Sequence, residues 1–152
     1  MPIHINQEVL IAAPRADVAA FVMDPANDPQ WIAAVTSCHV VTDGEFAVGT
    51  EFKRISVFLR KHIEQVFRVT EYIPDKTLAF RALGGSIAME VRYALADIED
   101  DKTRTTVSIE GDPGRVFRLA GPLFVRLMKR TVRHDLLALS EILEGQISSA
   151  AS

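Results

Sequence analysis

Cysteine is almost absent from the sequence: its 152 residues include one, Cys38. A lone cysteine cannot form an internal disulfide, and a single thiol is typical of proteins in a reducing compartment. A chain of this length buries roughly two-thirds of its unfolded surface, so it needs neither a disulfide nor a structural metal to fold. We therefore interpret Cys38 as a small buried hydrophobic residue rather than a reactive thiol.

The sequence also lacks long hydrophobic runs and an excess of positive charge. No stretch approaches the ~20 consecutive apolar residues of a membrane-spanning helix, and Met1–His4 lack the basic and apolar regions of a secretory signal. These absences predict a cytoplasmic protein. The 17 basic and 20 acidic side chains give a net charge of −3, which argues against nucleic acid as a partner.

Motifs of metal, nucleophile and phosphate chemistry are missing as well. The sequence has no His-x-x-x-His or Cys-x-x-Cys spacing, no nucleophile elbow and no glycine-rich phosphate loop. The four histidines, His4, His39, His62 and His134, are scattered along the chain, and their predicted positions do not converge. We therefore expect no metal and no cofactor, and the sequence disfavours an enzyme built on a metal or a catalytic triad.

A strand and two short helices are predicted at the N-terminal end. Apolar and polar residues alternate from Ile3 to about Ala13, which is typical of a strand with one buried face. Pro14 suits the first turn of a short helix. Asp24-Pro25 and Asp28-Pro29 each resemble an N-cap followed by a proline, and they predict a second short helix that carries Trp31.

Six further strands are predicted, separated by turn residues such as Asp43-Gly44 and Pro74-Asp75. They span Cys38–Thr42, Thr50–Leu59, His62–Ile73, Thr77–Leu83, Ile87–Asp97 and Thr103–Glu110. Hairpin connections between successive strands predict a meandering antiparallel sheet of seven strands. Thr50–Leu59 and His62–Ile73 have apolar residues in both registers, so the pattern leaves their inward face open.

One long helix is predicted at the C-terminal end, because apolar residues recur at helical spacing from Leu123 to Ile142. Asp112-Pro113-Gly114 opens this segment, and Gly145 is interpreted as the left-handed residue that ends the helix. Pro122 lies inside the segment and predicts a kink or a break there. The small and polar residues 146–152 are expected to form a disordered tail.

Several short motifs at turns and core positions are spread over nearly the whole chain. They are Ile11-Ala-Ala-Pro14 with Val18 and Phe21, Asp24 with Trp31, Val48-Gly-Thr50-Glu-Phe52, Val69-Thr-Glu-Tyr-Ile-Pro74 and Leu78-Ala-Phe80. In their order and spacing they resemble the polyketide cyclase/dehydrase-like (SRPBCC) branch of the helix-grip superfamily, which includes START domains. The resemblance implies a single α+β domain, residues 1–145. In such a domain a curved seven-stranded antiparallel sheet wraps around the C-terminal helix and leaves a cavity between them.

A cavity of this kind has mostly apolar walls and a few polar groups that orient the ligand. The candidate ligand-binding residues are large side chains from the short helices, the strands and the long helix: Trp31, Phe52, Phe67, Phe80, Met89, Phe124, Leu127 and Met128. For each of them the alternative is packing as an ordinary core residue. Trp31 is the strongest candidate, because a large aromatic residue after two Asp-Pro breaks is expected on a mobile rim.

Arg54 is a conditional ligand-binding candidate. If Phe52 and Phe58 face inward, so does Arg54, and a guanidinium inside an apolar cavity requires a carboxylate, a phosphate or a strongly polarised carbonyl as its partner. That partner could belong to the ligand. The alternative is an outward-facing Arg54, or one paired across the hairpin with Glu64 or Glu71.

The predicted long helix carries a basic outer face opposite its apolar side. The residues that share this arc are Arg115, Arg118, Arg126, Lys129, Arg130 and Arg133. No acidic residue occurs between Arg115 and His134, so this surface could dock on an anionic membrane or on an acidic protein. The alternative is an ordinary solvated helix face.

The function that the sequence favours is non-catalytic binding or carriage of a small hydrophobic molecule such as a lipid, an isoprenoid or an aromatic metabolite. The resemblance implies one enzymatic alternative, a metal-free polyketide cyclase or dehydratase that acts on a ligand in the same cavity. A third possibility is a membrane-surface or protein-partner module that uses the basic helix. Monomer and homodimer both stay open, because fold alone does not fix function or assembly.

Overall fold

The computed structural model describes residues 3–58, 60–84, 88–99, 101–112 and 121–151. The strands are β1 Ile3–Ile11, β2 Val35–Val40, β3 Glu51–Phe58, β4 Lys61–Ile73, β5 Thr77–Leu83, β6 Ala88–Glu99 and β7 Lys102–Asp112. The helices are α1 Arg15–Val22, α2 Asp28–Trp31 and α3 Gly121–Ala151, with a short 3-10 turn at Pro25–Asn27. The α+β class and the order of the elements are as predicted, although β2 begins at Val35 rather than at Cys38.

The seven strands form one antiparallel sheet in the order β1-β7-β6-β5-β4-β3-β2. Strands β2 to β7 follow one another as hairpins, while β1 closes the other side of the sheet by pairing with β7 from Ile3↔Gly111 to Ile11↔Thr103. The predicted meander is confirmed. Because the sheet curves around α3, its inner side chains face the helix and form the core.

The inward face of β3 and β4, which the sequence left open, carries the aromatic residues. Phe52 and Arg54 on β3 and Phe67 on β4 are buried. Lys53 points to the other face, where its Nζ lies 2.6 Å from Oε1 of Glu64. Period-two alternation therefore places Arg54 inside, on the same face as Phe52.

The short helices contribute buried residues next to the sheet. Val18, Phe21 and Val22 of α1 are buried. Asp24 accepts a hydrogen bond of 3.0 Å from the Ala26 backbone N–H and so caps the 3-10 turn, as its position before Pro25 predicts.

The long helix α3 differs from its prediction at its C-terminal end. Pro122 is the second residue of the described helix, and residues 113–120 before it lie outside the described residues, so the predicted kink or break at Pro122 stays a prediction. The predicted end at Gly145 is wrong: the helix continues to Ala151, and residues 146–151 are helical rather than a disordered tail. The predicted opening of the helical segment, Asp112-Pro113-Gly114, falls partly on residues 113–120, outside the described residues.

Nowhere in the described part of the chain does a helix combine the length and apolar character of a membrane crossing.

Gly111 on β7 provides a test of the sheet packing. A Cβ at this position would collide with the backbone carbonyl oxygen of Ala88 on β6. We expect Gly111→Ala to lower the free energy of unfolding by about 1–3 kcal/mol, because backbone cannot move aside as a flexible side chain can. Urea denaturation measures this change.

The matched control is Gly145→Ala in α3, where a Cβ meets nothing within 4 Å. It should raise stability by up to about 1 kcal/mol, since alanine is the better helix former. Equal stability of the Gly111→Ala variant and the wild type would contradict the described register of β6 and β7.

Candidate functional site

A cavity of about 460 Å³ lies between the inner face of the sheet and α3. Its walls come from the segment after α2, from β3, β6 and β7, and from one side of α3. The lining residues are Trp31, Ile32, Ala33, Ala34, Arg54, Ser56, Met89, Val91, Tyr93, Val107, Ile109, Leu127, Met128, Thr131, Val132 and Asp135. Most of them are apolar, and the volume lies within the ~300–1,000 Å³ typical of small-molecule sites.

An aromatic cluster lies beside the cavity. On β3 to β5 the inner face carries Phe52, Phe67 and Phe80, whose ring centroids lie 4.9 to 5.4 Å apart. The inner side chains of β6 and β7 that line the cavity are Met89, Val91, Tyr93, Val107 and Ile109. The three phenylalanine rings therefore fill the interior along β3 to β5, and the cavity lies along β6 and β7.

Arg54 forms the boundary between the filled end and the cavity. The residue is 8% exposed, and Nη2 donates a 2.7 Å hydrogen bond to Oδ2 of Asp28, which is 3% exposed. The guanidinium carbon lies 5.1 Å from the ring centroid of Phe67 and 5.5 Å from that of Phe80. A carboxylate and two aromatic faces together compensate the buried positive charge.

Asp28 reaches Arg54 because it begins α2. Asn27 is the N-cap of this helix, and Asp28 lies in its first turn, next to Pro29. The Asp-Pro pattern that predicts Asp28 as a cap therefore places a polar residue correctly at the N-terminal end of α2. It does not identify Arg54 as the partner of that residue. The expected alternatives for Arg54 are wrong, because Glu64 pairs with Lys53 and Glu71 pairs with Arg92 at 2.8 Å.

The groups around this ion pair have shifted protonation equilibria. Burial raises the pKa of Asp28, and the neighbouring Arg54 partly offsets that rise. Burial disfavours the charged guanidinium and so lowers the pKa of Arg54. The electrostatic interactions with Tyr93 and Asp28 outweigh this effect, and the pKa of Arg54 lies above its ordinary value. Burial, followed by the charge of Asp28, raises the pKa of the Cys38 thiol to about 12. Burial likewise raises the pKa of Tyr93. The thiol and the phenol are therefore neutral at physiological pH, and Cys38 is buried.

Trp31 is a wall of the cavity rather than part of a mobile rim. It is 4% exposed and packs edge to face on Tyr93 with ring centroids 5.8 Å apart. Its indole N–H is buried and has no hydrogen-bond partner among the described residues. The expected rim position is wrong because α2 is fixed to the sheet by Asp28.

Asp135 contributes a carboxyl group to the cavity wall, and sequence reasoning missed it. Val132, Leu136 and Leu139 flank it on the buried face of α3, and a lone acidic residue among these apolar positions is the signal that could have identified it. Its Oδ1 accepts a 3.2 Å hydrogen bond from the Ala33 backbone N–H. Burial raises its pKa, and the Ala33 hydrogen bond and His134 oppose that rise.

The other predicted ligand-binding residues fall into three groups. Met89, Leu127 and Met128 line the cavity. Phe124 lines a separate void of about 40 Å³ between α3 and the β1-β7-β6 end of the sheet. Phe52, Phe67 and Phe80 pack on one another and are not among the lining residues of the cavity. The structure therefore gives them the alternative role, that of core residues.

The predicted basic face is only partly described. Arg126, Lys129, Arg130 and Arg133 are exposed on α3. Arg115 and Arg118 lie outside the described residues.

The fold and the cavity together define a helix-grip protein in which a curved sheet and a long helix enclose a cavity. Residues 2–144 match the family described as polyketide cyclase / dehydrase and lipid transport, and the chain belongs to that family. Among curated proteins, none matches this sequence.

Solved structures with the same fold include an aromatase/cyclase and a START superfamily protein. TTHA0849 from Thermus thermophilus has a TM-score of 0.81 and 19% identity, and the match covers 99% of this chain and 100% of that one. Zhui aromatase/cyclase from Streptomyces sp. R1128 has a TM-score of 0.77 and 16% identity over 97% of this chain and 96% of its own. A START superfamily protein from Mycobacterium smegmatis has a TM-score of 0.71 and 16% identity, with coverage of 97% and 98%. At such low identities these similarities establish the fold alone.

The Asp28–Arg54 ion pair generates a stability prediction. Arg54→Ala leaves a buried carboxylate without a partner, and we expect it to lower the free energy of unfolding by about 3–5 kcal/mol. The double variant Asp28→Leu/Arg54→Met replaces both charges by apolar groups and should recover most of that loss. Urea denaturation of both variants measures the difference. A double variant no more stable than Arg54→Ala would contradict the pairing.

Asp135 generates a prediction about pH. Because its pKa in the folded state is raised above 3.8, the protonated carboxyl stabilises the fold below that pH. This stabilisation is lost as the pH rises through the folded-state pKa. Asp135→Asn keeps an oxygen for the Ala33 N–H without the buried charge, so it should melt at a higher temperature than the wild type at pH 7.

The difference in melting temperature should shrink as the pH falls towards 3. Glu141→Gln, at an exposed position of the same helix, is the control and should follow the wild type across this range. A wild type that is more stable than Asp135→Asn at pH 7 would show that the Asp135 carboxylate is favourably paired.

Proposed function

We propose that the protein binds and carries a small, mostly apolar and electrically neutral molecule in the cavity between the sheet and α3. The observation that carries this proposal is the 460 Å³ cavity with its aliphatic and aromatic walls. Burial of apolar ligand surface against such walls supplies binding free energy without any covalent chemistry. Membership of a family whose description includes lipid transport supports the same function.

The charges of the cavity wall favour a neutral ligand over an anionic one. Arg54 already has Asp28 as its counter-ion at 2.7 Å, so its guanidinium does not require a ligand carboxylate or phosphate. Asp135 places a carboxyl group in the cavity wall, and its nearest described basic group, Nδ1 of the exposed His134, is 3.8 Å away. An anionic group placed in this cavity would lose its hydration close to a like charge.

The polar end of the cavity favours a ligand that carries a hydroxyl or a carbonyl group. The indole N–H of Trp31 and the Nε–H of Arg54 are buried donors without partners among the described residues. Both nitrogen atoms are covered by neighbouring protein atoms, so a ligand oxygen would satisfy them only after a small side-chain shift. Ser56 and Thr131 also line the cavity and could orient a hydroxyl group.

A polyketide cyclase or dehydratase is the second candidate function. It is favoured by the cluster of Arg54, Tyr93, Asp28 and Cys38 on the inner side of the sheet, together with the fold shared with an aromatase/cyclase. Carriage is favoured over catalysis because no histidine is among the described lining residues, and because the raised pKa values of Tyr93 and Cys38 keep both groups protonated. Asp135 is the cavity group best suited to proton transfer.

Native mass spectrometry tests the proposal with two probes of equal chain length, decanol and decanoic acid, at pH 8. We expect one decanol per protein chain and much less decanoate, because only the acid is charged at this pH. Thr131→Trp should lower decanol binding at least about tenfold, since the indole would occupy the cavity. Glu141→Trp, on the exposed face of the same helix, should bind decanol as the wild type does.

Two results would overturn the proposal. One is the absence of decanol binding to the wild type, and the other is equal binding by the Thr131→Trp variant. An endogenous polyketide that is recovered from the purified protein and changes mass on incubation with it would support the enzyme instead.

A further inference from the structure

The N-terminal third of α3 is exposed in a way that packing does not explain. None of residues 121–131 is buried, whereas Val132 and Leu136 further along are buried against the rest of the domain. Leu123 is nevertheless 71% exposed and Leu127 46% exposed. Four residues separate these two leucines, so they lie next to each other on one face of the helix.

Basic residues lie along one side of the two exposed leucines. At about 100° per residue, Arg130 and Arg126 lie next to Leu123, and Arg133 and Lys129 lie further round the helix in the direction away from Leu127. We call the whole surface the docking stripe: Leu123, Arg126, Leu127, Lys129, Arg130 and Arg133, all of them exposed. Large exposed apolar side chains beside exposed cations on a helix are typical of helices that lie in a membrane interface.

The positive charge of the docking stripe is not neutralised within the described part of the protein. No ion pair among the described residues involves Arg126, Lys129, Arg130 or Arg133. The first acidic residue of α3 is Asp135, which is buried and hydrogen-bonded to Ala33. The stripe is therefore a positive surface on a protein whose net charge is −3.

We propose that the docking stripe binds the surface of an anionic lipid bilayer. The leucines would enter the boundary between headgroups and acyl chains, while the arginines and the lysine would contact lipid phosphates. Charge complementarity selects an anionic surface, and the exposed leucines select a bilayer over a purely polar acidic partner.

The docking stripe also adjoins the ligand cavity. Leu127 belongs to both, and Met128 and Thr131 line the cavity from the neighbouring side of the helix. A docked protein would hold the cavity against the bilayer, so that an apolar ligand could enter from the membrane without crossing water. This entry route rests on the proposed carrier function, whereas the docking itself does not.

Vesicle flotation tests the docking. We expect the wild type to float with vesicles of equal parts phosphatidylcholine and phosphatidylglycerol at low salt, and not with pure phosphatidylcholine. Binding should weaken at 0.5 M salt, because the screening length falls below about 5 Å. Arg126→Glu/Arg130→Glu should lower binding to the mixed vesicles at least about tenfold, given that each basic residue near an anionic surface contributes substantially.

Two matched controls separate the stripe from general effects of charge and hydrophobicity. Lys61→Glu/Arg81→Glu makes the same change in net charge at exposed positions on β4 and β5 and should float as the wild type does. Leu123→Ser should weaken flotation, whereas Leu10→Ser, at a residue of β1 that is 57% exposed, should not. Equal loss in both charge-reversal variants, or flotation that does not depend on phosphatidylglycerol, would overturn the proposal.

Failure of docking and failure of ligand carriage are distinguishable. Arg126 and Arg130 do not line the cavity, so their double reversal should leave decanol binding in solution unchanged. A wild type that floats but binds no decanol would retain the docking and lose the carrier function. A wild type that binds decanol but does not float would lose the docking alone.

Discussion

The buried ion pair between Asp28 and Arg54 is the interaction on which the site depends. Arg54 stands on the inner face of β3 among phenylalanine rings, and a guanidinium is tolerated there because a carboxylate lies 2.7 Å away. The pair also ties α2 to the sheet and so fixes Trp31, three residues after Asp28, as a wall of the cavity. This one ion pair therefore holds Arg54 beside the phenylalanine rings and holds Trp31 in the wall of the cavity.

The interior has a filled part and an open part. Phenylalanines pack on one another along β3 to β5, whereas the inner side chains of β6 and β7, among them Val91, Tyr93 and Val107, line an open cavity. A protein core normally closes such a gap by collapse. Here the long helix is held by its buried residues from Val132 onward and by contact with β1 and α2, so the sheet and helix stay apart where the cavity lies.

The fold could be predicted further than the site because the two depend on different information. Strand alternation and turn residues are local signals, and they place all seven strands. The inward position of Arg54 depends on register, which apolar residues on both faces of β3 conceal. Its partnership with Asp28 joins residues 26 positions apart, and no local pattern records such a contact.

Gly145 is a different case: glycine is tolerated inside a helix that tertiary packing already stabilises, so it is an unreliable stop signal.

The central claim is that the space between the sheet and α3 receives an apolar, neutral molecule. Solution NMR with decanol tests it most directly, by measuring contacts between the ligand and the methyl groups of the protein. The account predicts intermolecular contacts with Val91, Val107 and Met128, which line the cavity on three different elements. Contacts confined to Leu123 on the exposed face of α3, or none at all, would contradict it.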